Sequence, residues 1–264
     1  MSEGSAAIGR TVRAGLAGWT PGVRACAAAL VVAFALCLLP LAPGLAFLGP
    51  LTIILAVTLA SGALYRAVFA GPPGWSGLRW GREEWRLLAV LALSAVILAV
   101  VGAVLLVVVG AVSLGVVRTA QPDLDTMSID AWRGALSGPG GMLATLVSLL
   151  SIGLMAWLFL RLSLAPAATI EAGKVQVLSA FERTRGAVPS LAIAGLLLAA
   201  PALILGGVLD AALSLAGGAK TPFTLRLVNL ALLLFYFIPV WTAALVDVYR
   251  HHVPTVRLPG SARP

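Results

Sequence analysis

Residues 87–117 read LLAVLALSAVILAVVGAVLLVVVGAVSLGVV and form a long apolar stretch that contains no charged residue and no proline. About 20 apolar helical residues cross the ~30 Å hydrocarbon core of a bilayer, so this run is long enough to cross it tilted or to extend beyond it. A helix that is apolar on all sides belongs in lipid or at the centre of a bundle. The stretch therefore predicts a transmembrane helix.

Hydrophobic residues make up 60% of the 264 residues and charged residues only 11%. Soluble domains are about 45–50% apolar and about 25% charged, so this composition favours the bilayer as solvent. We predict an all-α, polytopic membrane helical bundle of six transmembrane helices, with an N-terminal interfacial helix and a cytoplasmic elbow helix. The other five spans are expected at Ala25–Leu41, Leu45–Tyr65, Met142–Leu160, Ala187–Leu209 and Leu227–Val246.

The six runs divide the chain into an N-terminal segment (1–22), a transmembrane domain (23–248) and a cytoplasmic tail (249–264). Apolar residues recur at roughly helical spacing in the first segment, with arginines between them, which is typical of a short helix on the membrane surface; a frayed terminus is the alternative. Because further membrane-length runs follow a long lead-in, we expect no cleaved signal peptide. The residues concerned are Ile8, Val12, Leu16 and Trp19, with Arg10 and Arg13.

The connection at residues 70–86, AGPPGWSGLRWGREEWR, contains glycines and prolines that break regular structure. Its three tryptophans, Trp75, Trp80 and Trp85, suit the aromatic belt at a membrane interface. Glu83 and Glu84 are expected in the first turn of the next helix, where carboxylates suit the helix dipole.

The connection at residues 161–186, RLSLAPAATIEAGKVQVLSAFERTRG, is charged and partly apolar between two uncharged runs. Pro166 is expected to kink or end the preceding helix. Residues Lys174–Thr184 then predict an elbow helix lying in the interface, with Gly186 as its C-cap.

Basic residues fall mostly on one side of the predicted topology. Six spans place both termini and the second and fourth loops on that side, which carries 14 of the 18 Lys and Arg residues. Cytoplasmic loops carry the basic excess, so we predict both termini in the cytoplasm. Heavy use of Ala, Gly and Arg suggests a bacterial genome, and hence the inner membrane.

The net charge of +8 does not indicate nucleic-acid binding, because the basic residues lie between apolar runs instead of on one folded surface. The expected partners are anionic lipid headgroups at the cytoplasmic face, together with a protein partner or a second copy of the chain.

An ionisable residue inside a membrane is a functional hypothesis by default. Here the candidates lie near span ends, where anchoring at the interface is the favoured interpretation. The sharper hypothesis is an interfacial ion pair in which Asp247 binds Arg161 or Arg66.

No residue pattern predicts a catalytic site, a cofactor or a metal. Asp123, Asp125 and Asp130 resemble a loose carboxylate cluster, but they lack the spacing of a calcium loop, so a solvated loop is favoured. Cys26 and Cys37 are 11 residues apart, about 16 Å on a helix, which is too far for a disulfide.

Pro201 and Pro239 interrupt the last two predicted spans. Broken helices mark binding sites in transporters, but single prolines are also common in ordinary membrane helices. With no charge beside them at mid-membrane, we favour structural kinks.

Four short pieces of the chain carry a family resemblance: GALYRAVFAG (62–71), GLRWGREEWRLL (77–88), RLSLAPAATIEAG (161–173) and FERTRG (181–186). They resemble a poorly characterised family of bacterial six-helix inner-membrane proteins. The third and fourth pieces are also similar to the membrane domain attached to some glycerophosphodiester phosphodiesterases. In that group hydrolysis resides in a separate soluble domain, so no catalytic residues carry over. The resemblance implies a helical membrane bundle linked to envelope or lipid homeostasis.

Two functions are therefore expected from the sequence. The first is a non-enzymatic membrane protein that scaffolds partners or contacts lipid headgroups through its basic, tryptophan-rich loops. The alternative is a small-solute or lipid transporter, which the paired proline breaks would favour.

Overall fold

A computed structural model of the protein describes residues 2–42, 44–69, 75–120, 139–178, 184, 186–215 and 221–252. The described residues fold into α-helices joined by short 3₁₀ and π-helical turns, which confirms the all-α class. The helices are α1 (Ser2–Ala25), α2 (Ala27–Leu38), α3 (Gly49–Phe69), α4 (Arg82–Ala120), α5 (Pro139–Leu162), α6 (Ala165–Ala172), α7 (Val188–Leu215), α8 (Thr221–Leu232) and α9 (Ile238–His252), with the π-helical segment Leu233–Phe237 between the last two.

The helices confirm a polytopic membrane architecture by their length and composition. Among the described residues, five helical stretches are long and apolar enough to cross a membrane, and a sixth is counted if α1 and α2 together form one bent span. The five stretches match the second to sixth predicted spans and cover Ala46–Phe69, Trp75–Thr119, Gly140–Ala172, Val188–Leu213 and Phe223–His251.

Residues 27–41 of the first predicted span, Ala25–Leu41, are helical, but the span begins at a bend in the chain. The chain leaves the helical conformation at Cys26, and the helices on either side of it meet at 86°. Gly77, from a later part of the chain, packs against Cys26 at this bend. The 12 residues of α2 extend about 18 Å, less than a ~30 Å hydrocarbon core. The predicted span is therefore the short second arm of a bent pair.

The elbow helix also differs from its prediction. The described residues of Lys174–Thr184, which are 174–178 and Thr184, are not helical, and residues 179–183 lie outside the described part of the chain. A helix occurs earlier instead, as α6. Pro166 lies in its first turn, where a missing N–H costs nothing, and Gly173 ends it with a φ of +62°. Pro166 thus begins a helix after α5 has ended at Leu162.

Both ends of the described chain are helical over more residues than the sequence predicts. Residues 2–25 are helical throughout, and α9 continues to His252, beyond the start of the predicted tail at residue 249. Helix α1 packs its glycine-bearing face on α9: a Cβ at Gly18 would lie 2.5 Å from the Cβ of Ala243. The N-terminal helix is therefore partly a packing element, not only a helix on the membrane surface.

Two compact units make up the chain, one of residues 1–92 and 162–264 and the other of residues 93–161. The core of the first unit is built mainly from small and branched side chains of α2 and α3, closed by Leu234. In the second unit the remainder of α4 pairs with α5, where Gly140 lies against Val116 and Gly102 against Met155. Helix α3 and the start of α4, which form the candidate site, both belong to the first unit.

Candidate functional site

A buried ion pair joins α3 to the start of α4. Arg66 lies near the end of α3 and Glu84 in the first turn of α4, and their side chains form a salt bridge. Only 6% of Arg66 and 1% of Glu84 are exposed. Removing two charges from water is expensive unless they are paired and their remaining donors and acceptors are bonded. The surrounding backbone supplies those bonds.

The pair is bonded to the loop that connects the two helices. The guanidinium of Arg66 donates through Nη2 to the carbonyl oxygens of Gly77 (3.0 Å) and Arg79 (3.4 Å). Oε2 of Glu84 accepts the backbone N–H of Gly81 at 2.7 Å, as the third helical residue does in a capping box. One ion pair therefore fixes both the middle of the loop and the first turn of α4.

Two glycines make room for this arrangement. A Cβ at Gly62 would lie 3.2 Å from Oε1 of Glu84, so a side chain there would press on the carboxylate. Gly77 has a φ of +79°, which L-residues rarely adopt, and a Cβ there would lie 3.1 Å from the Cα of Cys26. These glycines allow the backbone of the loop and α3 to approach the ion pair closely.

The outer face of the same segment is aromatic and basic. We call residues Trp75–Arg86 the tryptophan–arginine loop. Its three tryptophans are 80%, 40% and 61% exposed in chain order, and the rings of Trp80 and Trp85 meet edge to face with centroids 5.6 Å apart. Arg79 and Arg82 are exposed between them. Exposed tryptophan beside arginine is the composition of a membrane-interface surface that attracts anionic headgroups.

Two of the three residues of the predicted interfacial ion pair, Arg66 and Asp247, have other partners in the structure. Arg66 pairs with Glu84 instead of Asp247, because the loop after α3 folds back over its end and brings the start of α4 against it. Sequence reasoning placed Glu84 in the right turn but missed its burial. The available signal was that Arg66 and Glu84 are opposite charges at the two ends of one short connection.

Asp247 finds its partners on α1 and on its own helix. Its carboxylate lies 3.6 Å from Nε of Arg10 and accepts a hydrogen bond of 3.4 Å from the hydroxyl of Thr11. His251, one turn later, places Nδ1 3.4 Å from the other carboxylate oxygen. Asp247 therefore joins the start of α1 to the end of α9.

Arg161 lies at the end of α5 with its guanidinium 4.5 Å from the ring centre of Trp157. An arginine stacked on tryptophan at a span end suits the anchoring role that the sequence indicated. Its pairing with Asp247 stays a prediction.

Aromatic side chains donate hydrogen bonds to backbone oxygens near both prolines. Pro239 has no N–H to give to the carbonyl of Phe235, four residues earlier, and Nε1 of Trp19 donates to that oxygen instead at 2.7 Å. The hydroxyl of Tyr236 donates to the carbonyl of Leu198, three residues before Pro201, at 3.0 Å. The Trp19 bond therefore replaces the one that Pro239 cannot make, whereas the oxygen that lacks a donor because of Pro201 is that of Leu197. Both prolines lie within continuous helical stretches.

A recess lies between α7 and α8. It has a volume of about 630 Å³ and is lined mainly by apolar side chains, with Asp210 and Asn229 as its polar members. The amide oxygen of Asn229 lies so close to α7 that a Cβ at Gly206 would be 2.8 Å from it. This recess is an open groove with two polar groups, not an enclosed aqueous cavity.

Among the described residues, no three His, Cys, Asp or Glu side chains lie close enough together to hold a metal ion. The predicted loose carboxylate cluster of Asp123, Asp125 and Asp130 lies outside the described residues.

Comparison of the chain with family models, with curated proteins and with solved structures gave no match. The resemblance to six-helix inner-membrane proteins therefore stays a prediction.

Proposed function

We propose that this protein is a non-enzymatic, multi-pass protein of a bacterial inner membrane that binds anionic lipid headgroups through its tryptophan–arginine loop and acts as a scaffold in envelope homeostasis. The observation that carries the proposal is the buried Arg66–Glu84 pair, which holds the loop against α3 with Arg79 and Arg82 exposed.

The chemistry of the loop supports lipid contact in two ways. Each arginine near an anionic membrane surface contributes about 1 kcal/mol of binding free energy. Tryptophan prefers the headgroup region, because its ring is apolar while its N–H can be bonded. A loop fixed by hydrogen bonds presents these groups together, so little conformational entropy is lost on binding.

Contacts at one end of the first unit support the proposed orientation. Nη2 of Arg250, near the end of α9, donates to the carbonyl of Val68 at the end of α3. Asp247 contacts Arg10 of α1 at the same end of α9. The beginning of α1, the end of α9 and the basic loop after α3 therefore lie near one another, as cytoplasmic location of both termini requires.

Lipid selectivity tests the proposal directly. The purified protein is placed in nanodiscs of equal parts phosphatidylglycerol and phosphatidylcholine, and the lipids retained on release are counted by native mass spectrometry. We expect enrichment of phosphatidylglycerol, and a loss of about 2 kcal/mol of that preference in Arg79→Gln/Arg82→Gln, because two cations are removed.

Arg226→Gln is the matched control, because Arg226 is an exposed arginine of α8 outside the loop. Its lipid preference should equal that of the unchanged protein. Equal retention of the two lipids by the unchanged protein would refute the proposal, and so would an equal loss in the control variant.

The second candidate is a small-solute or lipid transporter, and the groove between α7 and α8 favours it. Asp210 and Asn229 provide polar contacts on an apolar surface of about 630 Å³, a size typical of ligand sites. A transporter predicts that Asn229→Ala abolishes flux of a substrate into proteoliposomes, while Arg226→Gln on the same helix leaves it unchanged. If a metabolite and lipid panel shows no flux, this candidate is lost.

A further inference from the structure

A narrow apolar groove runs along the hairpin of α2 and α3 and reaches the tryptophan–arginine loop. Its volume is about 480 Å³. The two helices contribute aliphatic side chains, whereas the loop contributes one cation and one indole. The groove is lined by Val32, Leu36, Leu55, Leu59, Leu78, Arg79 and Trp80.

The length of the groove suits one leaflet of a bilayer. Leu55 lies 11 residues before Arg66, whose side chain bonds the carbonyl of Arg79. At about 1.5 Å per helical residue, the distance along α3 is about 16 Å. This is about half of a ~30 Å hydrocarbon core, so the groove spans the depth that one acyl chain occupies.

The loop end of the groove is suited to a phosphate group. The guanidinium of Arg79 is exposed, while its backbone is held by Arg66, so the cation projects from a fixed point. Arginine binds phosphate oxygens with two parallel hydrogen bonds. Trp80 lies beside it and packs on Trp85, which places an interfacial residue at the same level.

We infer that this groove binds a single anionic phospholipid, with its phosphodiester at Arg79 and one acyl chain along Leu36, Leu55 and Leu59. The inference rests on the proposed function and assigns it a defined site. A soluble anion would leave the aliphatic walls uncovered, and a neutral lipid would bring no net charge to Arg79.

Three variants separate the groove from the general charge of the loop. Arg79→Gln removes the cation of the groove, and Leu55→Trp fills its apolar part. Arg82→Gln is the comparison within the loop, because Arg82 is an exposed arginine of the same loop that does not line the groove. Phosphatidylglycerol is titrated onto the delipidated protein in detergent, and the first bound lipid is measured by native mass spectrometry.

We expect Arg79→Gln to weaken the first binding step about fivefold, which corresponds to about 1 kcal/mol for one cation. Leu55→Trp should weaken it at least as much, while Arg82→Gln should weaken it less than Arg79→Gln does. The melting temperature of each variant in detergent must match that of the unchanged protein. If Leu55→Trp does not fold, Leu59→Ala replaces it as the change to the apolar wall of the groove, and it should also weaken the first binding step.

The outcomes distinguish the groove from the broader proposal. Equal weakening by Arg79→Gln and Arg82→Gln would overturn the groove and leave general headgroup binding by the loop. Displacement of the lipid by an equal concentration of glycerol 3-phosphate would also overturn it, because an acyl chain would then be unnecessary. If the unchanged protein binds phosphatidylcholine as well as phosphatidylglycerol, both the groove and the proposed function fail.

Discussion

At the scale of single residues, the main feature is that Arg66 and Glu84 are buried as an ion pair. An apolar contact at this place would cost less desolvation free energy. Replacing a buried ion pair by apolar residues is often neutral or stabilising. Removing only one partner is strongly destabilising, because the other charge stays buried without a counter-charge. The pair also holds the loop through Gly77, Arg79 and Gly81. We interpret it as a positioning device for the loop, since a purely apolar contact would leave those backbone bonds unmade.

Glu84→Gln is expected to destabilise the fold by about 3–5 kcal/mol, because Arg66 would stay buried without a counter-charge. Unfolding in mixed micelles with increasing dodecyl sulfate measures this change. Glu171→Gln is the control, because Glu171 is an exposed glutamate outside this helical turn, and it should cost less than about 0.5 kcal/mol.

The double variant Arg66→Met/Glu84→Met tests whether the two charges act together. Its loss of stability should be smaller than the sum of the two single losses by at least about 2 kcal/mol. Additive losses would show that the two side chains do not interact.

At the scale of elements, α1 packs against α9 through the glycines of its inner face. The motif Gly18-x-x-x-Gly22 lies on this face: Gly18 meets Ala243, and Gly22 meets Leu64 of α3. Small residues let helix backbones approach closely, which is the main source of helix association in membranes. Sequence patterns do not predict this role, because the motif lies outside the predicted spans.

Gly18→Val is expected to cost about 1–3 kcal/mol, because an added side chain would overlap Ala243 and push α1 from α9. The loss of stability is measured by thermal unfolding in detergent. Gly9→Val on the same helix is the control, since nothing lies within 4 Å of a Cβ at Gly9. Similar losses in both variants would mean that helix propensity, and not packing, explains the effect.

The bond from Trp19 to the carbonyl beside Pro239 gives a second prediction at this scale. Trp19→Phe should cost about 1 kcal/mol, because the carbonyl of Phe235 loses its donor. In a Pro239→Ala background the restored backbone N–H can bond this carbonyl, so the same substitution should cost less. The two costs are compared in one thermal-unfolding series, and equal costs would contradict the assignment.

At the scale of the whole molecule, the count of crossings depends on how the bent pair of α1 and α2 passes through the bilayer. Five straight spans alone would put the termini on opposite sides, whereas a crossing by the bent pair makes six and returns them to one side. The basic excess on one side and the contact of Arg10 with Asp247 both favour six.

Reporter fusions should decide the topology. A reporter that is active only outside the cytoplasm is expected to be inactive after Met1 and after residue 264, and active within residues 121–138. A cytoplasmic fluorescent fusion should show the reverse pattern. Activity of the external reporter at either terminus would contradict six crossings.

Local patterns in the sequence determined the class of this protein and most of its helices. Long uncharged runs such as Leu87–Val117 must be helical in lipid, because each helix satisfies its own backbone and needs no distant partner. The distribution of Lys and Arg between the loops likewise predicts on which side of the membrane each loop lies.

Only the tertiary structure decided the corner at Cys26, the burial of Glu84 and the packing of Gly18. Each depends on what another segment brings close: Gly77 against Cys26, Arg66 against Glu84, and Ala243 against Gly18. Apolar periodicity reports that a residue faces away from water, but in a membrane protein lipid and protein neighbours are equally apolar. The partners of Cys26 and Gly18 therefore became known only with the fold, whereas the opposite charges of Arg66 and Glu84 indicated a pair whose burial the sequence did not show.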